Sequence, residues 1–165
     1  MCAALLVSAS ALQAQEFGKG TQTIKLGVGV NRWAVPVMAE YELGIVDNLA
    51  TVDGLSLGVG GYVGFSHHKS GAWYSYNSFY VGTQGLAHYM PVDRLDVYAG
   101  AMVGARFRTE KYSGTDNNIP EKVFNPYFSF TPIVGARYQL TSHFGVYSNL
   151  AIDYGMYFVS IGIAF

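Results

Sequence analysis

Cysteine, charged side chains and long apolar runs are all scarce in this sequence, and each shortage excludes a class of protein. Cys2 is the only cysteine, so one chain cannot build a disulfide framework. Charged residues make up 13% of the chain and the net charge is -1, which leaves no electrostatic case for a nucleic-acid partner. No apolar run reaches the ~18 residues that a transmembrane helix needs. These shortages argue against a disulfide scaffold, a nucleic-acid-binding protein and a helical membrane protein.

Apolar and aromatic residues are nevertheless abundant. Half of the 165 residues are hydrophobic, 15% are aromatic and 20 are glycine. This combination favours strands that alternate between apolar residues and small or polar ones, with a membrane around them. A soluble β-sandwich fits less well, because its wet faces would carry more lysine and glutamate. The length predicts a single domain.

The last nine residues show the alternation most clearly. Tyr157, Val159, Ile161, Ile163 and Phe165 share one face, and mostly small residues occupy the other. In a soluble protein such a strand at the terminus would be an exposed apolar edge, whereas in a closed barrel it pairs with the first strand and faces lipid. A terminal strand that ends in Phe also resembles the sorting signal that the outer-membrane assembly machinery reads. The alternative is a sandwich-core strand that happens to end the chain.

From Thr21 onward, the chain divides into eight alternating segments bounded by turn residues. Their predicted ranges are 22–33, 35–45, 55–66, 76–90, 95–108, 127–140, 144–154 and 157–165. An even strand number lets an antiparallel barrel close with both termini on one side. The predicted fold class is therefore all-β, a closed antiparallel eight-stranded transmembrane β-barrel with meander topology. The longest predicted loop, 109–125, falls on the extracellular side if the termini are periplasmic.

The first fourteen residues resemble the second half of a secretory signal peptide. Residues 4–7 form a short apolar core, and Ala14 is followed by Gln15-Glu16, as at a cleavage site. No lysine or arginine precedes Lys19, and we explain the missing positive region by a start codon assigned too late, at an internal methionine. We therefore expect 1–14 to be a truncated signal peptide and 15–165 to be the outer-membrane barrel domain. The alternative is an ordinary short helix or a frayed tail.

Pro132 interrupts an otherwise regular predicted strand. Proline has no N–H to give to a ladder, and a closed barrel has no free edge that would tolerate it. We expect a β-bulge at this position, or a strand that begins to pair later than its alternation suggests.

Aromatic residues gather near the predicted strand ends, as expected of two girdles in the headgroup layers. The members of one rim are Trp33, Phe65, Trp73, Tyr74, Tyr76, Phe107 and Tyr127, and those of the other are Tyr89, Tyr138, Phe144 and Phe165.

The predicted inward positions carry mostly glycine and tyrosine, which indicates a filled lumen, since an eight-stranded barrel has room only for side chains. Charged residues of the same parity should form an interior polar network, because buried charge is costly unless it is paired. They are Lys25, Glu40, Glu42, Arg106, Arg108, Arg137 and Asp153. We expect Glu40 and Glu42 to pair with some of these cations.

Three short motifs carry a resemblance to a known family. They are Gly-Ala-Arg-Tyr at 135–138, Val-Tyr-Ser-Asn at 146–149 and the final Ile-Gly-Ile-Ala-Phe. With the strand count, they resemble the small outer-membrane barrels of the OmpX/OmpA-like kind, in the versions typical of Bacteroidetes-like genomes. The resemblance implies location in the bacterial outer membrane, membrane integrity, and surface contact or adhesion. We expect a non-enzymatic barrel. The resemblance transfers no catalytic, cofactor-binding or metal-binding residue, and we expect no cofactor.

Several partners are expected of such a barrel. Outer-membrane lipid and lipopolysaccharide would surround it, and the barrel-assembly machinery would read the C-terminal strand. A host or cell-surface ligand would bind at loop 109–125, because exposed loops carry recognition. We expect a monomer.

Three other functions compete with this interpretation. A lipid A-modifying enzyme would need grouped Ser and His residues, but His143 and Ser148 have opposite parity, and His67 and His68 lie in a predicted loop without a fixed carboxylate. A narrow porin-like channel remains open as an alternative. A soluble lipocalin-type barrel would need apolar residues inward, the reverse of the predicted facing.

Overall fold

The computed structural model describes residues 17–30, 34–114, 122–153 and 156–165, and most of them lie in strands. The proposed signal peptide, residues 1–14, lies outside the described residues. The strands are β1 (Gln22–Val30), β2 (Val37–Val46), β3 (Leu55–Ser70), β4 (Tyr74–Val92), β5 (Leu95–Tyr112), β6 (Lys122–Thr141), β7 (Phe144–Asp153) and β8 (Met156–Ala164). A short 3₁₀ helix, Leu49–Thr51, lies between β2 and β3.

The strands form a ring in which every strand pairs with its neighbours in sequence. All pairings are antiparallel, and β8 pairs with β1 over Lys25↔Ala164 to Val30↔Val159. This confirms the predicted all-β fold, an eight-stranded antiparallel barrel in meander order. We call the end that carries the connections after β1, β3, β5 and β7 the upper end, and the end with the two termini the lower end.

The apolar face of each strand points away from the barrel axis. Val59 and Val103 are exposed, as are Ile24, Phe128 and Leu150, whereas the residues between them in sequence point into the lumen. An apolar core cluster occupies the middle of the lumen and comprises Tyr62, Leu86, Tyr98, Met102, Ile133 and Ala151. A largely apolar belt around a ring of strands needs lipid as its solvent, which excludes the lipocalin-type arrangement. Among the described residues, no helix is long and apolar enough to span a membrane.

Four consecutive strands are about twice as long as the other four. β3 to β6 contain 16, 19, 18 and 20 residues, whereas β1, β2, β7 and β8 contain 9 or 10. The long strands pair as far as Ser70↔Tyr74 and Lys111↔Lys122, so they rise above the rest of the ring as a curved wall. The predicted loops 67–75 and 109–125 were therefore too long, since most of their described residues belong to paired strands.

Pro132 lies in a regular part of β6, and the predicted bulge is absent there. It pairs with Ala101 without a register shift. The N–H of Gln139 points to β5, because it donates to the carbonyl of Arg94, and donor direction alternates along a strand. The nitrogen of Pro132 therefore points toward β7, whose pairing with β6 begins only at Ile133. The proline lies where β6 has no partner on that side, so its missing donor breaks no ladder bond.

The upper aromatic row differs from the prediction in part. Phe65, Phe79 and Phe107 are register partners on the outward face, and the rings of Phe79 and Phe107 lie 6.4 Å apart. Tyr76 and Tyr127 were assigned to this lipid-facing row but lie on the inner face, where each contacts an inward-pointing arginine. Trp33 lies outside the described residues.

Candidate functional site: a paired interior and an upper cleft

The lower half of the lumen holds a cross-strand ion pair. Lys25 on β1 and Glu40 on β2 are register partners, and Lys25 Nζ lies 2.9 Å from Glu40 Oε2. Glu42, two residues further along the inner face of β2, approaches the same ammonium at 3.5 Å. All three side chains are 1% exposed. Charges this deeply buried are tolerated because each has an opposite charge within contact distance.

A second cross-strand pair lies on the far side of the lumen. Asp96 on β5 and Arg137 on β6 are register partners, and Arg137 Nη2 lies 2.9 Å from Asp96 Oδ2. Arg137 Nη1 also donates to Thr23 Oγ1 at 2.8 Å, which connects β6 to β1 across the interior.

His88 connects the two pairs. Its Nε2 lies 2.7 Å from Glu42 Oε1, and its Nδ1 lies 3.0 Å from both oxygens of Asp96. Since both ring nitrogens face carboxylate oxygens, the doubly protonated ring is the form that can donate to both. The interior network then contains three cations, Lys25, His88 and Arg137, and three carboxylates. His88 had inward parity in the sequence, but nothing local marked it as the bridging residue.

Tyrosine and asparagine side chains fill the space around these charges. Tyr98 Oη donates to Asn149 Oδ1 at 2.5 Å, and Asn149 Nδ2 donates to Glu40 Oε1 at 3.4 Å. Lys25 Nζ lies 4.7 Å from the centre of the Tyr98 ring. These contacts link β2, β5 and β7 through the lumen, so the described interior is packed with side chains.

Phe17, which precedes the first strand, closes the lower end of this network. It is 2% exposed, and its ring stacks on His88 with 3.9 Å between centroids. Ser56 Oγ donates to the Phe17 carbonyl at 2.7 Å, and the Arg137 guanidinium carbon lies 5.5 Å from the ring centre. Nothing in the sequence marks this residue, because a lone aromatic before the first strand belongs to no periodic pattern.

Arg106 and Arg108 lie away from the interior network, at the upper end of β5. They line a cavity of about 260 Å³ between the inner face of the wall and the top of the ring. Its lining residues are Ala34, Ser66, His68, Ser70, Tyr76, Ser78, Arg106 and Arg108. We call this cavity the upper cleft.

Aromatic rings hold both cleft arginines in place. The Arg106 guanidinium carbon lies 4.8 Å from the centre of the Tyr80 ring and 5.4 Å from that of Tyr127. The Arg108 guanidinium carbon lies 4.3 Å from the Tyr76 ring centre, and Arg108 Nη2 lies 3.1 Å from Glu110 Oε1. Arg106 Nη2 also donates to Ser78 Oγ at 3.3 Å. Stacking over flat rings restricts the orientation of each guanidinium.

The seven residues of the predicted interior network therefore separate into groups. Lys25, Glu40, Glu42 and Arg137 lie within the paired interior, whereas Arg106 and Arg108 lie in the upper cleft. The side chain of Asp153 is outside the described part of the structure. In the C-terminal strand, Val159, Ile161 and Phe165 are exposed on the outward face, and the side chain of Tyr157 is not described.

The histidines that could suggest an enzyme lie at the two ends of the barrel. His67 Nδ1 contacts Asn77 Oδ1 at 2.8 Å on the outward face, and His143 Nδ1 contacts Ser142 Oγ at 2.8 Å in the lower turn. In the described ranges, neither ring is in contact with a carboxylate, and no group of three or more metal-ligating side chains comes together.

The outward apolar belt, the ring of antiparallel strands and the paired polar interior define a membrane-spanning barrel of the bacterial outer-membrane class. The exposed valines and leucines need hydrocarbon around them, and the chain lies in the outer membrane, where barrels of this kind occur.

Solved structures share this fold at low sequence identity. The N-terminal barrel domain of Pseudomonas aeruginosa OprF is 14% identical with a TM-score of 0.60, over 90% of this chain and 98% of that one. Ail, the attachment invasion locus protein of Yersinia pestis, is 8% identical with a TM-score of 0.55, over 88% and 96%. The outer-membrane enzyme PagL is 10% identical with a TM-score of 0.51, over 86% and 96%. No family model matches the chain, and neither does any curated protein. These similarities show that the chain shares the barrel fold, and they do not show its activity.

Proposed function

We propose that this chain is a non-enzymatic outer-membrane barrel, of the OmpX/OmpA-like kind, that supports membrane integrity and makes contacts at the cell surface. The observation that carries the proposal is the wall formed by β3 to β6, which rises above the other strands and presents the upper cleft. With periplasmic termini, this upper end is extracellular. A long paired wall presents recognition groups on a rigid support, which lowers the entropic cost of binding.

The packed interior favours a structural role over a narrow pore. Lys25, Glu42 and Asp96 are at most 1% exposed, and each contacts an opposite charge. A conducting lumen would keep such groups hydrated, whereas here they hold the strands together through the centre. We therefore expect no ion conductance from the native barrel in a planar bilayer.

The environments of His67 and His143 favour a non-enzymatic barrel over a lipid A-modifying enzyme. A serine or water nucleophile needs a base that a third group orients. In the described residues, His67 contacts an amide and His143 contacts the serine next to it in sequence, in a turn. The name of Ail associates a similar fold with attachment, and PagL shows that the fold also supports an enzyme. The surface-contact role follows here from the wall and the cleft.

Membrane partners follow from the outward face. Lys69, Ser75 and Lys111 are consecutive register partners on β3, β4 and β5, and both lysines are exposed just above the phenylalanine row. We propose that these ammonium groups contact phosphates of lipopolysaccharide. The assembly machinery would bind the C-terminal strand through Tyr157, Val159, Ile161, Ile163 and Phe165, and the barrel would act as a monomer.

The proposal is tested with a barrel whose wall has been lowered. Residues 67–77 and 109–124 are each replaced by Asn-Gly, a two-residue hairpin turn that joins the register partners Ser66 with Ser78 and Arg108 with Asn125. The variant should still fractionate with outer membrane and show heat-modifiable gel migration. Bacteria that display this variant should adhere less to cells and to glycan-coated surfaces than bacteria that display the native protein.

Two results would contradict the proposal. One is equal adherence by bacteria that carry the native and the lowered barrel. The other is release or transfer of acyl chains when purified native protein is incubated with lipid A, which would assign the chain to the enzyme class.

A further inference from the structure

We propose that the inner face of the wall, at the upper cleft, binds an uncharged saccharide. The assignment rests on the surface-contact function proposed above and names the chemistry of its ligand. Three features carry it: a set of nearly parallel aromatic rings, an ion pair that balances its own charge, and a cleft lined by hydroxyl groups without large aliphatic side chains.

An aromatic platform, formed by His68, Tyr74, Tyr76 and Tyr112, covers the inner face of the wall. The rings of His68 and Tyr76 lie 5.9 Å apart with 12° between their planes, and those of Tyr74 and Tyr76 lie 6.4 Å apart with 8°. Tyr112 is the register partner of Tyr74, with 5.1 Å between the ring centroids. Tyr74 is 37% exposed, and Tyr76 and Tyr112 are partly exposed. Because the first three rings share nearly one orientation, the C–H faces of linked sugar rings can stack on more than one of them.

The charges beside the platform are already engaged. Arg108 Nη2 lies 3.1 Å from Glu110 Oε1, and the Arg108 guanidinium lies over the Tyr76 ring, 4.3 Å from its centre. Arg106 donates to Ser78 Oγ, and its guanidinium lies over another tyrosine ring. A charged ligand would have to compete with Glu110 for Arg108. A sugar hydroxyl can donate to the carboxylate and accept from the guanidinium while the pair stays intact, so the site suits an uncharged ligand.

The lining of the upper cleft favours a sugar over a protein segment or an acyl chain. Among its described lining residues, Ala34 is the only aliphatic one, so an apolar partner would find little surface to bury there. Ser66, Ser70 and Ser78 contribute hydroxyl groups that can both donate and accept. The volume of about 260 Å³ is just below the ~300–1,000 Å³ typical of pockets for drug-sized ligands, so the cleft suits one sugar unit of a longer chain.

Saturation-transfer NMR on native protein in phosphatidylcholine nanodiscs tests the proposal, with empty nanodiscs as the control. The probes are the uncharged oligosaccharides maltohexaose, cellohexaose and chitohexaose, the anionic oligogalacturonate, and a polyproline peptide, because aromatic-lined grooves also bind proline-rich segments. At least one uncharged oligosaccharide should bind through its ring C–H protons. Its affinity should change less than about 2-fold as salt is raised, since no net charge is neutralised.

Three results of this titration would overturn the proposal. The first is that no uncharged oligosaccharide binds. The second is that oligogalacturonate binds more tightly than all three, with an affinity that falls steeply as salt is raised, which would indicate an ionic site. The third is that the polyproline peptide binds more tightly than every saccharide, which would assign the platform to a protein ligand.

Matched variants of the platform separate ring stacking from general apolar contact. Tyr74→Leu with Tyr76→Leu keeps apolar volume but removes the flat rings, and should weaken saccharide binding by about 10-fold or more. Tyr74→Phe with Tyr76→Phe keeps the rings without their hydroxyl groups and should weaken it by less than about 5-fold. Heat-modifiable migration confirms that each variant is folded. Native affinity in the leucine variant would contradict binding on the platform.

Matched variants of the ion pair separate an uncharged ligand from a charged one. Arg108→Gln with Glu110→Gln removes both charges but keeps donors and acceptors, so the affinity for the saccharide should stay within about 5-fold of native. Arg108→Leu with Glu110→Leu removes the hydrogen-bonding groups and should weaken binding by about 10-fold or more. An exposed pair contributes little to stability, so both variants should fold. Equal losses in the glutamine and leucine variants would mean that recognition depends on charge, contrary to the proposal.

The two proposals can fail separately. If the native protein binds none of the uncharged oligosaccharides while the lowered barrel loses adherence, the ligand assignment is wrong and surface contact remains. If the native protein binds a saccharide through Tyr74 and Tyr76 but lowering the wall leaves adherence unchanged, the platform is a saccharide site and the surface-contact function is wrong.

Discussion

The ring of Phe17 stacks on the ring of His88 with 3.9 Å between their centroids, which places an apolar cover directly under the bridging residue of the interior network. His88 contacts Glu42 and Asp96, so Phe17 shields a charged cluster from the lower opening of the barrel. Ionic contacts are stronger where water is excluded. Phe17 should therefore stabilise both the packing and the electrostatics of the lumen.

Phe17→Ala should destabilise the barrel by ~3–5 kcal/mol, because it removes a buried ring and lets water reach the His88 cluster. Phe17→Leu should cost less than ~1.5 kcal/mol, since it keeps most of the apolar volume. Urea-induced unfolding of the protein in phospholipid vesicles, followed by tryptophan fluorescence, measures both. Unchanged stability of Phe17→Ala would mean that the cover over His88 contributes nothing.

A buried and an exposed ion pair of the barrel should differ widely in their contribution to stability. Lys25 and Glu40 are each 1% exposed, whereas Arg108 and Glu110 are 35% and 36% exposed. Lys25→Met should cost ~3–5 kcal/mol, because it leaves buried carboxylates uncompensated, and the further change Glu40→Leu should recover part of that loss. The corresponding double-mutant cycle at Arg108 and Glu110 should give a coupling of only ~0–1 kcal/mol.

Unfolding free energies of the single and double variants in vesicles provide the comparison. The prediction for the lumen is wrong if the coupling between Lys25 and Glu40 is as small as that between the two exposed side chains.

Replacement by alanine should have opposite effects on stability at two glycines of β4. A Cβ on Gly82 would collide with the Val103 carbonyl and lie 2.7 Å from Gly104 Cα and 2.8 Å from Tyr62 Oη. Backbone cannot move aside as a flexible side chain can, so Gly82→Ala should cost ~1–3 kcal/mol. A Cβ on Gly85 would meet no atom within 4 Å, and Gly85→Ala should be neutral or stabilise by ~0.4–1 kcal/mol. Equal effects of the two changes on unfolding in vesicles would contradict this account of the lumen.

The sequence predicts the facing of the membrane-spanning residues well, because lipid on one side and a narrow lumen on the other impose a period of two. Val59 and Val103 face outward and Glu40 and Glu42 inward, as their parity indicates. The wall was harder to predict, since both faces of His67–Ser70 meet water and no apolar alternation marks them as a strand. The hairpin register carries the strand on to Ser70 nonetheless.

The partners of the inward charges could not be predicted from parity alone. Lys25 and Glu40 are register partners on β1 and β2, and the nearness of these two strands in the sequence suggests that they pair. Glu42 and His88 are 46 residues apart and meet across the lumen, which depends on how the strands tilt around the ring. The same tilt and the extra length of β5 put Arg108 above the network that holds Arg137. Parity gives the face of a residue, whereas height along the barrel axis depends on the assembled ring.

Arginine substitutions at two heights on β5 test whether the apolar belt faces the hydrocarbon of the membrane. Val103 and Thr109 share the outward face of β5, but Val103 lies in the apolar belt and Thr109 lies above Phe107 in the wall. Val103→Arg should cost ~2–4 kcal/mol and Thr109→Arg at most ~1 kcal/mol, because the penalty for arginine falls from the bilayer midplane to its surface. Unfolding in vesicles of defined thickness measures both, and thinner bilayers should reduce the penalty at Val103. If arginine is tolerated equally at the two positions, hydrocarbon does not surround Val103, and the membrane-spanning assignment is wrong.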